Sequence, residues 1–176
     1  MESFEERLRQ DLVCYLVSVG RADAHLPECP DIEEKWGPIA QAYLPDGIRE
    51  FAAYPNASLG WMMYMGIAVA KYWDEDWAVY GNLPNLYTYI RDKRGYDNLD
   101  EYVRDEALSL KEEESDNLEK LIGECASRTN NFLRRQPIEP GTKEAFDAYV
   151  SCLHQLYLMG AAVQLKHMGY HMTKIN

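Results

Sequence analysis

Residues 51–70 carry no charged side chain, and the overlapping stretch 59–77 holds three tryptophans, two tyrosines and three methionines. At 100° per residue, one face of a helix here collects Leu59, Met62, Met63, Gly66, Val69, Ala70, Trp73, Trp77 and Tyr80. The opposite face collects Trp61, Tyr64, Ala68 and Tyr72. A helix that is apolar on both sides has no face to give to water, so it belongs at the centre of a bundle or between copies of the chain. The segment therefore predicts a continuous rod over about 56–80, with the other elements assembled around it.

Twenty uncharged residues also reach the length of a membrane span. Pro55, Asn56, Ser58 and Gly60 interrupt the start of this run, leaving about twelve residues of dense apolar character, too few to cross. A second uncharged run, 148–165, is interrupted by Ser151, His154, Gln155 and Gln164. Both runs read as buried helices of a bundle, and no membrane partner is expected.

Apolar residues elsewhere repeat with a period near 3.6, and strand-like alternation is nearly absent. Ser3 with Glu6 forms a capping box that opens a helix over 4–18, with Phe4, Leu8, Leu12, Tyr15, Leu16 and Val19 on one stripe. Asp31 with Glu34 predicts a second start, for a helix broken near Gly37-Pro38. Pro45-Asp46-Gly47 reads as a turn followed by a short helix through Phe51. After the central rod, Pro84 opens a helix to Lys93, and Asn98 with Glu101 caps one through Leu108. A more polar helix covers 111–135, and Thr142 caps a last helix reaching His167. The expectation is a single all-α domain over 1–176: an antiparallel helical bundle of four long helices with three or four short ones.

Charge narrows the class of partner. Acids outnumber bases 29 to 18, a net charge of −11. That balance opposes a phosphate-neutralising surface, so neither nucleic acid nor anionic lipid is an expected partner. Residues 97–116 alone carry nine acids and two bases. The plain reading is a solvated face; the sharper one is a patch for a basic protein partner. The four cysteines, Cys14, Cys29, Cys125 and Cys152, form no C-x-x-C pair, and the acidic start of the chain lacks the features of a secretory signal. They read as reduced thiols in a cytoplasmic protein.

Three groups of residues are candidates for chemistry. Asp74 and Asp76 flank the Trp73/Trp77 ridge, where burial could make one carboxyl a general acid. Residues two apart on a helix lie about 200° apart, so the pair cannot share a ligand on an intact helix. His167 and His171, four apart, share one helical face and could bind a divalent metal with ligands from a neighbouring helix. Arg91, Lys93 and Arg94 form a basic knot beside Tyr87, Tyr89 and Tyr96. There, Arg91 and Arg94 could hold an anionic ligand group. Trp73, Trp77 and Tyr80 would line an aromatic pocket.

No Glu-x-x-His, His-Glu-x-x-His, Walker A loop or G-x-S-x-G elbow is present. The expected function is therefore a soluble, self-associating helical interaction protein without catalysis or cofactor. The alternatives are a metal-dependent hydrolase with an aromatic-lined pocket between helices, and a small-molecule sensor.

Overall fold

The computed structural model describes residues 2–169. Among these there is no strand. Eight α-helices follow in order: α1 (Phe4–Ser18), α2 (Pro30–Glu34), α3 (Trp36–Ala53), α4 (Pro55–Tyr80), α5 (Leu86–Arg94), α6 (Leu99–Tyr102), α7 (Glu112–Arg134) and α8 (Lys143–Met168). A 3-10 turn, Tyr96–Asn98, precedes α6, and a π turn, Val103–Ala107, follows it. No described helix is long and apolar enough to cross a membrane.

The uncharged stretch forms the rod that its composition requires. Pro55 occupies the first turn of α4, where its missing N–H costs nothing. From residue 58 to residue 70 only Trp61 escapes full burial. Helices α3, α7 and α8 of the same chain pack against it. The second apolar face, which suggested an interface between copies, is thus covered from within one chain.

The contact between α4 and α8 is made backbone to backbone. A β-carbon on Gly66 would collide with the carbonyl oxygen of Tyr157, and one on Gly160 with the carbonyl oxygen of Met63. Only glycine permits this approach. Helix α8 is itself buried from Cys152 to Leu165, apart from His154 and Leu158.

Helix directions differ from the antiparallel expectation. Glu5 and Arg9 meet His154 and Gln155, and Asp23, just beyond α1, meets Lys166, so α1 and α8 run in the same direction. Ser58 meets Tyr149 and Gly66 meets Tyr157, so α4 also runs with α8. Helix α7 opposes α1, since Phe4 packs on Phe132 while Asp11 faces Arg128. Five described helices, rather than four, have fifteen or more residues.

Three local expectations also differ. Helix α3 runs straight through Pro45-Asp46-Gly47. Pro45 is exposed, and the residues flanking it are tied to α4. Tyr43 donates to the Ser58 carbonyl oxygen (2.5 Å) and Ser58 Oγ donates to the Gly47 carbonyl oxygen (2.8 Å). These buried bonds offset the roughly 3 kcal/mol penalty of an internal proline. Helix α2 begins at Pro30 without a side-chain cap, and Asp31 instead accepts a hydrogen bond from Trp73 Nε1. Asn98 likewise caps nothing and donates to the Arg94 carbonyl oxygen. The capping boxes fail where a tertiary partner takes the capping side chain or where the helix shrinks to a single turn.

Candidate functional site

The central rod breaks at Asp76, whose backbone is extended (φ −165°, ψ 75°). Asp74 is half-buried on the last intact turn and Asp76 is exposed at the break. Trp73 is buried and satisfied by Asp31 (3.0 Å). Trp77 is half-buried, with Lys35 Nζ 5.8 Å from its ring centre and donating to the Gly81 carbonyl oxygen at 2.7 Å. Tyr80 stacks on Tyr72 at 4.1 Å. These aromatic rings are packed on one another and on α2 and α5, and they are not among the residues lining the large cavity of the fold.

The basic knot is committed to carboxylates. Arg91 donates to Asp46 (3.1 Å) and Asp92 (2.9 Å). Arg94 reaches Asp105 (3.0 Å), Glu106 (2.8 Å) and, at 3.9 Å, Glu101. Lys93 lies over the Tyr89 ring at 4.2 Å. Within 97–116, Arg104 also holds Asp100 (3.0 Å), so four of the nine acids there have a cation within 4 Å. His167 is exposed near the end of α8, and His171 lies outside the described residues. Among the described residues, no group of three or more His, Cys, Asp and Glu side chains could hold a metal ion.

A different place has the form of a site. Between α1, the 24–30 connection and α8 lies an open groove of about 1050 Å³. Its α1 wall carries Val13, Cys14 and Val17, its roof Leu26 and Pro27, and its α8 wall Leu158, Ala161, Ala162 and Leu165. The reason is a division of labour on α1. Leu8, Leu12 and Leu16 are fully buried and dock the helix. Val13 and Val17, one position further round, face the groove, and Val17 is 40% exposed. The small side chains of Ala161 and Ala162 leave the opposite wall low. Pro27 and Pro30 stiffen the connection that arches over the gap.

Charged groups gather at one end and tie the walls together. His154 Nε2 lies 2.9 Å from Glu33 of α2, and Nδ1 lies 3.4 Å from Glu5 of α1. Trp36 stacks on the imidazole at 4.8 Å. The adjacent Gln155, 1% exposed, accepts from Arg9 Nε (2.9 Å) and donates to Glu5 (3.3 Å). One histidine and one glutamine of α8 therefore tie α1 and α2 to α8 at one end of the groove.

The ionisable groups divide in the same way. Burial pushes the thiols of Cys125 and Cys152 up to about 12, so both stay protonated and inert. Burial also pushes up Cys29, on the groove wall, whereas Cys14 is exposed there. The sequence held one signal for the groove: Val13 and Val17 fall off the leucine stripe of α1, as surplus apolar residues. The aromatic ridge drew attention instead because it is larger. No family model matches the chain, and neither any curated protein nor any solved structure is similar to it.

Proposed function

We propose that the chain is a binding protein whose site is the groove between α1, the 24–30 connection and α8. The observation that carries this reading is an apolar cleft of about 1050 Å³ kept open beside a central rod and an α8 that are otherwise buried. Clefts of several hundred to about 1,000 Å³ lined by apolar side chains are the usual form of a ligand site. Every wall comes from one chain, so self-association is not needed to complete it. All four cysteines are free, which suits a reducing compartment and supports a cytoplasmic location. Catalysis is not part of the reading, which rests on the apolar walls and the polar end of the groove.

The test is a titration with Nile red, a neutral dye that brightens in apolar surroundings. The expected result is saturable binding of one dye per chain. Binding should weaken at least tenfold in Val17→Gln, and also after Cys14 is alkylated with a bulky maleimide. Emission unchanged from buffer, or equal binding by all three forms, would overturn the proposal.

A further inference from the structure

We infer that His154 is a proton-operated latch: its charged ring ties α1 to α8 at the end of the groove, and its neutral ring releases that tie. The imidazole stands where α1, α2 and α3 all meet α8. Its Nε2 lies 2.9 Å from a carboxylate oxygen of Glu33, and its Nδ1 lies 3.4 Å from one of Glu5. Trp36 lies flat against the ring, with the two planes 11° apart, and holds its orientation. The side chain is 22% exposed, so protons reach it from water. Both ring nitrogens thus face carboxylates. A neutral imidazole has one N–H and one lone pair, so it serves one carboxylate and turns the lone pair on the other. An imidazolium donates to both. The arrangement is complete only with the ring charged, and histidine ordinarily gains that charge as pH falls through about 6.5.

The groups around the ring favour such a switch between pH 5.5 and 8. Glu5 and Glu33 attract the proton. Arg9 of α1, donating to the adjacent Gln155, opposes it as one cation against two carboxylates. Lys35 is turned away, to the Gly81 carbonyl oxygen. Burial pushes up Cys29, Cys152 and Tyr157, so they stay neutral throughout this range. When the proton leaves, the shorter contact keeps the remaining N–H. Glu33 stays bonded and Glu5 faces a lone pair. Helix α2 has other anchors, since Ile32 is 1% exposed and its carbonyl oxygen accepts from Tyr157 (2.7 Å). Glu5 keeps the longer bond from Gln155 (3.3 Å). The released element is therefore the start of α1, whose later turns form a wall of the groove. A loosened wall is less preorganised and binds more weakly. This last consequence rests on the groove being the site; the latch itself does not.

The test uses the full chain as wild type, His154→Gln, Glu5→Gln and the double variant. At pH 5.5 glutamates, which titrate near 4.3, are still ionised. Urea midpoints there should show a coupling between the two substitutions of roughly 0.3 M, and at pH 8 that coupling should vanish. The same cycle with Glu33→Gln should keep at least half of its coupling at pH 8. In the wild type, ring nitrogen-15 spectra should show protons on both nitrogens at pH 5.5 and on Nε2 alone at pH 8. Nile red should bind the wild type at least threefold more weakly at pH 8 than at pH 5.5, and His154→Gln equally at both.

An equal Glu5–His154 coupling at the two pH values would make His154 a stacked structural residue and overturn the inference. A proton on Nδ1 with Nε2 bare at pH 8 would overturn the choice of Glu5 as the released partner. A pH-dependent coupling with unchanged dye affinity would overturn control of the groove. Absence of dye binding at every pH, with the coupling as expected, would remove the groove as a site and support the latch alone.

Discussion

Helix α8 has α4 on one side and α1 on the other, and the two contacts are built from opposite choices of residue size. Toward α4, Gly66 and Gly160 remove the side chains at the crossing, the backbones touch, and nothing can enter. Toward α1, the leucine ridge docks the helix, while Ala161 and Ala162 face Val13 and Val17 across a gap left open. Small residues thus close one interface and open the other. The difference lies in what stands opposite: a glycine on the partner helix lets the axes approach, whereas buried leucines just beside the alanines hold the axes apart. A rigid seam and an accessible groove share one helix, and the seam fixes the position of the groove's floor.

Titration gives the largest expected effect. The hydroxyls and thiols around the seam are held protonated by burial: Tyr96, Cys125 and Cys152 are pushed up to about 12, and Tyr43, Tyr149 and Tyr157 are pushed up as well. In the unfolded chain thiols ionise near pH 8.5 and phenols near pH 10. The folded state therefore binds more protons above those values, and its stability falls as pH rises. The contribution of these groups is fully present below about pH 8.5 and is lost progressively toward pH 12. Circular dichroism should show the whole chain unfolding in that window. Cys14 should react with a thiol reagent at pH 8 while Cys125 and Cys152 react only on unfolding. Four thiols labelled at equal rates in the folded chain would erase the distinction between the two sides.

Gly66→Val tests the seam directly. The new side chain meets backbone, which cannot rotate aside, so the helices must separate. Overpacking of this kind should lower unfolding stability by about 3 kcal/mol, read as a shift of the urea midpoint. A change below about 1 kcal/mol would mean that the helices are not in backbone contact.

How much of this was legible in the sequence follows from what each feature depends on. The central rod was readable because its apolar character is complete around the helix and independent of its neighbours. The cap at Ser3 was readable because both of its partners, Ser3 and Glu6, are local. Pro45 misled because the forces that keep α3 helical come from α4 and α8, namely Ser58 and Tyr149, far away in sequence. Asp74 and Asp76, two residues apart, would point away from each other on an intact helix, but the break at Asp76 has no local sequence signal. The groove was missed because it is a property of spacing between elements. Val13 and Val17 look like ordinary surface valines until Ala161, Ala162 and the 24–30 connection stand opposite them.

Ser58 gives a smaller effect on the same side as the seam. Its single hydroxyl hydrogen goes to the Gly47 carbonyl oxygen, so Tyr149 must donate to Ser58 Oγ, at 2.5 Å. Ser58→Ala strands a buried carbonyl and a buried phenol at once. The expected loss is about 2 kcal/mol. Tyr149→Phe removes only one of the two bonds and should cost less. If the two variants were equal, Ser58 would not be the junction between α3, α4 and α8.

The smallest effect on stability should accompany the clearest loss of binding. Val17 is 40% exposed and faces the groove rather than the leucine core. A polar amide at that position removes no buried contact of the fold, so Val17→Gln should change unfolding stability by no more than about 0.5 kcal/mol, the usual range for surface positions. The same substitution puts an amide on the apolar wall, where any apolar group seated in the groove would have to desolvate it without a partner. Stability and binding should therefore separate in this variant, while Gly66→Val alters stability first and binding only through it. A Val17→Gln chain that lost several kcal/mol would make α1 part of the seam after all, and the gap beside it a packing defect rather than a site.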